Sequence, residues 1–337
     1  MSIREVAVEL PRARGPLSSY VIEGLSGGTF APGHPPVSDH PLRGDDLHLA
    51  LYLCYELHYE GFAGVDPRVE WDPDLLAFRR TLEGAFEAAL LEAVPIDAPT
   101  PGEGVADRLI GVVTSDDGPP LARFVETRAS VEQARELVMH RSAYQLKEAD
   151  PHSWVIPRLR GPGKAALIEI QSDEYGSGRA DRVHATLFGK TMTAVGLDSA
   201  YGRYIEELPG VTLATVNLVS MFGLHRRWMG AAIGHLVAFE MTSSEPNRRY
   251  GNGLRRLGFG RDATDFYDEH VEADSVHEVI ALHDLAAAVV AADPAMERDI
   301  LFGARSLLAI EGRWAARLLE AWAAGRSSLR AVVQPAP

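Results

Sequence analysis

Three side chains in the C-terminal third of the sequence share one face of a predicted helix. His270, Asp274 and His277 stand at positions i, i+4 and i+7. An α-helix turns about 100° per residue, so the three lie within roughly 60° of one another. Imidazole and carboxylate together suit iron, zinc or manganese, whereas a structural zinc site or an iron–sulfur cluster would use thiolates. A solvated helix face can carry the same pattern, so the metal interpretation depends on ligands elsewhere in the chain.

The composition argues against several kinds of partner. The chain has 337 residues, of which 46% are hydrophobic, enough for one large domain or for a domain with an extension. Its net charge is -14, whereas proteins that bind nucleic acid or anionic membranes carry an excess of Lys and Arg. Arginine pairs such as Arg226-Arg227 are isolated, which predicts ion pairs or contacts to a substrate carboxylate. We therefore expect neither nucleic acid nor membrane as a partner.

The single cysteine, Cys54, cannot form an intrachain disulfide, and this predicts a reducing compartment, the cytoplasm. It lies between Leu51 and Tyr55 in an apolar stretch, so we interpret it as a core thiol. No apolar run approaches the about 18 residues that a membrane span requires. The sequence predicts a soluble protein that is not exported.

The sequence before residue 126 predicts an arm followed by helices. Proline and glycine are frequent in residues 1–43, which indicates an extended arm. Asp72-Pro73 supplies an N-cap and an N1 proline, the usual start of a helix. Residues 95–120 predict a linker with a short strand or helix at 109–113.

The remaining sequence predicts helices with short breaks. Ser130 to Gln133 form a capping box. The glycines within residues 251–260 predict a turn-rich connection, and residues 326–337 predict a flexible tail. In the helix after Arg226, small residues at 230, 234 and 238 would let two helices pack closely. Over the whole chain, the apolar pattern predicts helices at 45–62, 72–94, 130–150, 179–197, 211–222, 226–242, 270–290 and 293–322.

Two acidic side chains in these helices are candidate metal ligands. Glu148 lies near the C-terminal end of its helix, where the helix dipole disfavours an acid. Glu240 lies in an apolar helix, and a buried carboxylate is costly unless it is paired or bound to metal. Both positions therefore favour a functional role over a solvated one.

A glycine break joins two further candidates. Glu174 precedes Gly176 and Gly178, and His184 follows them, so the chain can bend there and bring both side chains to one centre. Ferritin-like bundles use paired Glu-x-x-His motifs, which this sequence lacks, so a different all-α scaffold is expected. The candidate ligands are four carboxylates and three imidazoles on about four helices: Glu148, Glu174, His184, Glu240, His270, Asp274 and His277.

Three motifs resemble the haem-oxygenase-like diiron oxidases. They are Tyr-Gln-Leu-Lys-Glu-Ala-Asp-Pro-His at 144–152, Asp-Glu-Tyr-Gly-x-Gly at 173–178 and His-x-x-x-Asp-x-x-His at 270–277. The similar region runs from His140 to about Leu285, a little under half of the chain. The ligand spacing is most similar to the N-oxygenating members, in which an extra glutamate, matched here by Glu148, joins the site.

The resemblance implies an all-α fold: a haem-oxygenase-like seven-helix bundle with an N-terminal helical extension. It implies two Fe(II) ions, not haem, with O2 as cosubstrate and a small amine-, guanidine- or amino-acid-like substrate oxidised at nitrogen through a peroxo-diiron intermediate. No dinucleotide-binding fingerprint or flavin site is evident, so the electron donor is expected to be external. By the same resemblance, residues 1–125 contribute to a homodimer interface, and residues 126–325 form the diiron domain.

Two other functions stay open at this point. The same metal set would serve oxidative carbon–carbon cleavage or desaturation of such a substrate. A haem-binding or structural helical protein is the other alternative, but a haem protein has no need of Glu174, Glu240 and Asp274.

Four residues are candidates for the substrate pocket and its chemistry. Arg179 and Arg226 could bind a substrate carboxylate, because the planar guanidinium matches it. Tyr144 lies one helical turn before Glu148, so a phenol would stand beside that carboxylate.

Overall fold

The computed structural model describes residues 8–30, 32–95 and 102–331. Those residues form helices joined by loops and contain no β-strand, which confirms the predicted all-α fold. The 96–101 part of the predicted linker and the 332–337 part of the predicted tail lie outside the described residues. Up to residue 130 the α-helices are α1 (Pro16–Gly27), α2 (Asp45–Glu56), α3 (Pro73–Ala93), α4 (Val105–Thr114) and α5 (Leu121–Thr127).

The second part of the chain supplies the helices around the candidate site. Ser130 Oγ accepts a hydrogen bond from Gln133 N, and Ser130 N donates one to Gln133 Oε1. The predicted capping box is therefore confirmed. From there the α-helices are α6 (Val131–Gln145), α7 (Asp150–Ser153), α8 (Gly161–Glu174), α9 (His184–Ala194), α10 (Gly210–Leu224), α11 (Met229–Met241), α12 (Ser244–Arg256), α13 (Arg261–Val279), α14 (Ala287–Ala292) and α15 (Met296–Ala323).

The segment predicted as an extended arm contains a helix, so that part of the prediction is wrong. α1 begins with Pro16 at its first position, where a missing N–H costs no hydrogen bond. It buries Leu17, Val21 and Leu25. Proline is frequent in this segment, but at the start of a helix it is compatible with the helical backbone. The beginning of the arm, residues 1–7, lies outside the described residues.

Two glycines predicted to form a turn lie inside α12, which corrects the prediction of a turn-rich connection. A Cβ on Gly253 would lie 2.7 Å from the backbone oxygen of Val125 in α5. Gly251 is likewise buried. These glycines therefore allow close contact between helices. The turn comes after α12, at residues 257–258, where Gly258 has a φ of 91°.

Small residues hold α11 against α15, as predicted. A Cβ on Gly234 would overlap the backbone oxygen of Ile300, and a Cβ on Gly303 would overlap that of Ala231. The two helices therefore touch backbone to backbone. This contact fixes α11, the helix that carries Glu240.

The helices before and after residue 126 share one hydrophobic core. Leu51 and Tyr55 of α2 are buried in the same cluster as Leu218 and Phe222 of α10. The predicted domain boundary near residue 125 therefore does not coincide with a gap in the core.

One continuous helical run, Arg261–Ala292, is long and apolar enough to cross a membrane by length and composition alone. It contains α13, a π-helical segment at Ile280–Ala286 and α14. The run packs against α8, α9, α11 and α12, and it buries His270, Asp274 and His277 inside the bundle.

Candidate metal centre

All seven predicted ligands are buried, with between 1% and 6% of each residue exposed. Three of them lie on α13, and the others come from four separate places in the chain. They are Glu148 just after α6, Glu174 at the end of α8, His184 at the start of α9, Glu240 on α11, and His270, Asp274 and His277 on α13.

One group of possible ligand atoms comes from Glu148, Glu174, His184 and His270. These atoms all lie within 4.8 Å of one another. Glu174 Oε2 is 2.8 Å from His184 Nδ1, and Glu148 Oε2 is 3.3 Å from His270 Nε2. A cation between these four side chains would have two oxygen and two nitrogen donors.

A second group contains Glu174, Glu240 and His277. His277 Nδ1 is 3.5 Å from both Glu174 Oε1 and Glu240 Oε2. Asp274 is close by, with its Oδ1 3.9 Å from the same nitrogen. Glu174 belongs to both groups and presents one carboxylate oxygen to each of them.

Two outer contacts turn the histidines of α13 toward the cluster. Asp173 Oδ2 is 3.2 Å from His277 Nε2, and the backbone oxygen of Phe266 is 2.8 Å from His270 Nδ1. A ring nitrogen that donates its N–H outward leaves the other nitrogen as a lone-pair donor inward. His270 Nε2 is thereby directed at the first group of ligand atoms, and His277 Nδ1 at the second.

The predicted glycine break brings Glu174 and His184 together. Gly176, Ser177 and Gly178 have φ values of 74°, 48° and 83°, in the left-handed region that favours glycine. A Cβ on Gly176 would lie 2.7 Å from Val183 N. The chain therefore reverses tightly between the two ligands.

A second unusual backbone position directs Glu148. Ala149, which follows it, has a φ of 74°, a conformation that costs energy for any residue other than glycine. The side chain of Gln171 donates to the Ala149 oxygen at 2.9 Å. On the other side, Lys147 points away and pairs with Glu56. The sequence contains no local signal for these contacts, which join distant segments.

Charges inside the cluster shift the pKa values in opposite directions. Burial alone would raise the pKa of Glu174, but imidazoles beside it, that of His184 foremost, lower it to about 2. Burial raises the pKa of Asp274 to about 8. Burial opposes protonation of His277, yet the Glu240 carboxylate raises the pKa of that imidazole to about 9. Without a cation, the cluster therefore retains protons that a bound metal would displace.

The unpaired polar atoms of the cluster fit a metal. Buried polar atoms normally have hydrogen-bond partners, but several here have no aligned partner among the described residues. Oxygen and imidazole donors without thiolate match iron or manganese. The unpaired atoms are Glu148 Oε1 and Oε2, His184 Nδ1, His270 Nε2, Asp274 Oδ2 and His277 Nδ1.

The predicted substrate contacts fall in different places. Tyr144 lines a small cavity together with Glu148, Glu174 and Glu240, and burial raises the pKa of its phenol well above the usual value. Arg179 is exposed and pairs with Asp181 at 3.3 Å. Arg226 is also exposed. The structure therefore brings Tyr144 to the cluster, and it leaves both arginines on the surface.

Two histidines near the cluster were not predicted as site residues: His152, which ends the 144–152 motif, and His235. His152 lines the same small cavity, and its Nε2 lies 3.1 Å from His235 Nδ1. Burial lowers the pKa of His152 to about 4 and the pKa of His235 well below its usual value, so both are neutral near pH 7. They are 83 residues apart, so no spacing pattern could have linked them.

Three comparisons relate this chain to known proteins. A family model described as iron-containing redox enzyme, of haem-oxygenase-like type, matches residues 135–312, which is more than half of the chain and includes all seven candidate ligands. Nitrosourea synthase of Streptomyces achromogenes subsp. streptozoticus is 29% identical over 132 residues. That match spans 39% of this chain and only 28% of the relative.

The fold also resembles a solved structure. The crystal structure of a CADD-like protein of unknown function from Nostoc punctiforme PCC 73102 has a TM-score of 0.50 and 18% identity to this chain. The similarity covers 64% of this chain and 96% of that protein. At this level of identity it supports the helical fold alone.

Proposed function

The chain belongs to the haem-oxygenase-like family of iron-containing redox enzymes, and from this premise we propose that it is a non-haem diiron oxygenase. It would use O2 to oxidise a nitrogen atom of an amine-, guanidine- or amino-acid-like small molecule. The single observation that carries the proposal is that Glu174 is common to both groups of possible ligand atoms. A carboxylate with one oxygen toward each group is what a two-metal site requires of a bridging ligand.

The donor set suits two ferrous ions in charge as well as in type. Four carboxylates would balance the four positive charges of two Fe(II) ions, so the buried site would be close to neutral. Buried charge is tolerated when it is compensated in this way. Bound there, the irons would supply the electron-transfer chemistry toward O2.

The residues around the small cavity would bind and orient the substrate. The Tyr144 phenol keeps its proton because burial raises its pKa, so it can donate a hydrogen bond to a substrate nitrogen or oxygen. His152 is neutral and lines the same cavity. We propose that these groups hold the nitrogen next to the cluster.

Oxidation at nitrogen is preferred because of Glu148. By resemblance this glutamate matches the extra carboxylate of the N-oxygenating members, and its oxygens lack aligned hydrogen bonds here. The partial match to nitrosourea synthase supports the same preference. In such a reaction the amine and O2 take up two electrons and two protons, and the products are a hydroxylamine and water. The electrons would come from an external donor.

Carbon–carbon cleavage or desaturation at the same site is the second candidate function, because the ligand set serves it equally well. A haem-binding role is disfavoured, since the space beside these histidines is filled by buried carboxylates that haem does not need. The partners we propose are a small-molecule substrate, an external reductant and a second copy of the chain. The buried single cysteine, Cys54, agrees with the expected cytoplasmic location.

Iron stoichiometry tests the two-metal site. After reconstitution with ferrous iron, the protein should bind close to two irons per chain. Glu174→Ala should reduce both, whereas His184→Ala and His277→Ala should each reduce one. Glu169→Ala is the matched control, because Glu169 lies on the same helix and is exposed. If Glu174→Ala retains both irons, the shared-ligand interpretation is wrong.

Product analysis tests the reaction. The diferrous protein is exposed to O2 with a panel of amines, guanidines and amino acids, and products are identified by mass spectrometry. Gain of one oxygen at nitrogen supports the proposal, and loss of a carbon fragment or of two hydrogens favours the second candidate. If Glu148→Ala changes neither iron content nor product, the preference for nitrogen loses its support.

A further inference from the structure

A second, larger cavity shares the wall residue Phe239 with the small one. Its volume is about 590 Å³, and its walls come from α5, α6, α9, α11, α12, α13 and α15. Cavities of about 300–1,000 Å³ are typical of sites for drug-sized ligands. Large apolar side chains dominate the walls, among them Leu121, Leu137, Phe239, Phe266, Leu308 and Trp314.

Phe239 separates this cavity from the candidate metal centre. It lines both the large cavity and the small one, and it directly precedes Glu240 in the chain. Its ring centroid lies 5.3 Å from that of Tyr144 and 6.2 Å from that of His235, nearly parallel to it. One phenyl ring therefore stands between the large cavity and the cluster.

A second aromatic wall residue contacts a candidate ligand directly. Phe266 lines the large cavity, and its ring centroid is 4.2 Å from that of His270. The cavity thus approaches the cluster through Phe239 and Phe266, without a layer of further residues between them.

Four of the six charged side chains in the wall are paired with each other, Arg141 with Glu311 and Arg249 with Glu245. The other two, Asp116 and Arg123, are exposed. Arg141 makes two hydrogen bonds to Glu311, of 2.9 and 2.8 Å, and its guanidinium lies 3.9 Å from the ring centroid of Trp314. The Arg141 guanidinium therefore already has a carboxylate partner, so it would bind a ligand carboxylate only weakly. The wall therefore selects for apolar surface more than for charge.

We propose that this cavity holds the body of the substrate, and that the substrate is an amine with a large apolar or aryl-alkyl body. A free amino acid or a small guanidine would leave most of the cavity unfilled. The inference rests on the proposed function, which it deepens by naming the substrate class. The nitrogen would reach the cluster past Phe239 while the apolar body stays between α6, α12 and α15.

Binding to metal-free protein tests the substrate class separately from the iron chemistry. Dissociation constants are measured by calorimetry for straight-chain primary amines from butylamine to decylamine, and for arginine. Each buried methylene should tighten binding about fourfold. Arginine should bind more weakly than the long amines. Equal affinities along the series, or tighter binding of arginine, would overturn the proposal and leave the two-metal site to be judged by iron content.

Two variants on one helix locate the binding. Leu308→Trp fills the cavity and should abolish the dependence on chain length. Leu319→Trp, also on α15 and partly buried outside the cavity lining, should preserve it. If both variants keep the wild-type dependence, the amines bind elsewhere and the proposal fails.

The role of Phe239 is tested with iron-loaded protein. Phe239→Trp should reduce the O2 consumption triggered by a long amine at least tenfold, while its dissociation constant changes less than threefold. Unchanged O2 consumption would show that the nitrogen does not pass Phe239, which would overturn this part of the proposal. Failure of wild-type iron loading with an intact chain-length dependence would count against the proposed function alone.

Discussion

The ammonium of Lys147 lies 2.7 Å from the carboxylate of Glu56 in a buried ion pair. The hydroxyl of Tyr201 donates to the other Glu56 oxygen at 2.8 Å, and the ring centroid of Tyr59 lies 4.2 Å from the ammonium. The pair joins α2 to the residue next to Glu148, so the N-terminal helices help to position a candidate ligand.

Removing the lysine should destabilise the fold strongly. Lys147→Met leaves the Glu56 carboxylate buried without its cation, which typically costs about 3–5 kcal/mol. Urea titration should show this loss in the free energy of unfolding. Lys147→Met combined with Glu56→Leu should recover most of it. The exposed pair Arg68–Asp66 serves as a control, because Arg68→Ala should have little effect. An equal loss in the single and double variants would contradict the prediction.

The contact between α11 and α15 predicts an opposite response of two glycines to the same change. Gly234→Ala places a Cβ on the backbone of Ile300, and such overpacking typically costs about 1–3 kcal/mol. Gly84→Ala on α3 meets nothing within 4 Å and should stabilise by about 0.5–1 kcal/mol through helix propensity. Chemical denaturation compares the two. The prediction is wrong if the free energy of unfolding changes in the same direction in both variants.

Stability should fall in mild acid because of buried neutral histidines. Burial lowers the pKa of His140 to about 3, whereas an unfolded histidine has a pKa of about 6.5. Between these values only the unfolded chain binds the proton, so the free energy of unfolding decreases as the pH falls, by up to about 1.4 kcal/mol per pH unit. The stabilising contribution is complete above pH 6.5, by the same reference value.

His140→Gln removes the titrating group and should make the loss of stability between pH 6.5 and 5 smaller than in the wild type. His140 contacts Thr212 Oγ1 at 2.7 Å and Ser328 Oγ at 3.0 Å, so glutamine can retain part of this hydrogen bonding. Urea titrations at pH 7.5, 6 and 5 measure the dependence. If the free energy of unfolding depends on pH equally in the variant and the wild type, His140 does not cause the loss of stability in acid.

The predicted homodimer can be tested at two exposed apolar side chains in the N-terminal half. Trp71 is 65% exposed and Leu91 is 46% exposed. If residues 1–125 form the interface, Trp71→Glu and Leu91→Glu should convert a dimer into a monomer in light scattering. Val276→Glu on α13, where the side chain is 56% exposed, should not. If Val276→Glu alone dissociates the dimer, the interface lies at α13 and not in residues 1–125.

Much of the cluster could be predicted because its signals are local. Helical spacing alone places His270, Asp274 and His277 on one face. The glycines after Glu174 indicate the reversal that brings His184 back to it. In both cases the relevant geometry is contained within about ten residues of backbone, where periodicity and permitted φ values determine direction.

The substrate side could not be predicted in the same way, because burial and pairing of an arginine depend on distant residues. Arg179 and Arg226 lie on the surface, whereas Arg141 is one of the arginines that line the large cavity. Its partner Glu311 is 170 residues away in the chain. Likewise, Gly253 suits a turn and a close helix contact equally well until the position of Val125 is known.

The π-helical segment at Ile280–Ala286 gives the chain tolerance to a change of length on one side of the site. A π-helix bonds five residues back instead of four, so deleting one residue there lets the neighbouring turns close as ordinary α-helix. His270, Asp274 and His277 all precede the segment and would keep their positions relative to α8 and α11. A deletion between His270 and His277 would instead rotate the second histidine by about 100°. In related chains, insertions and deletions should therefore accumulate after His277 and be absent between His270 and His277.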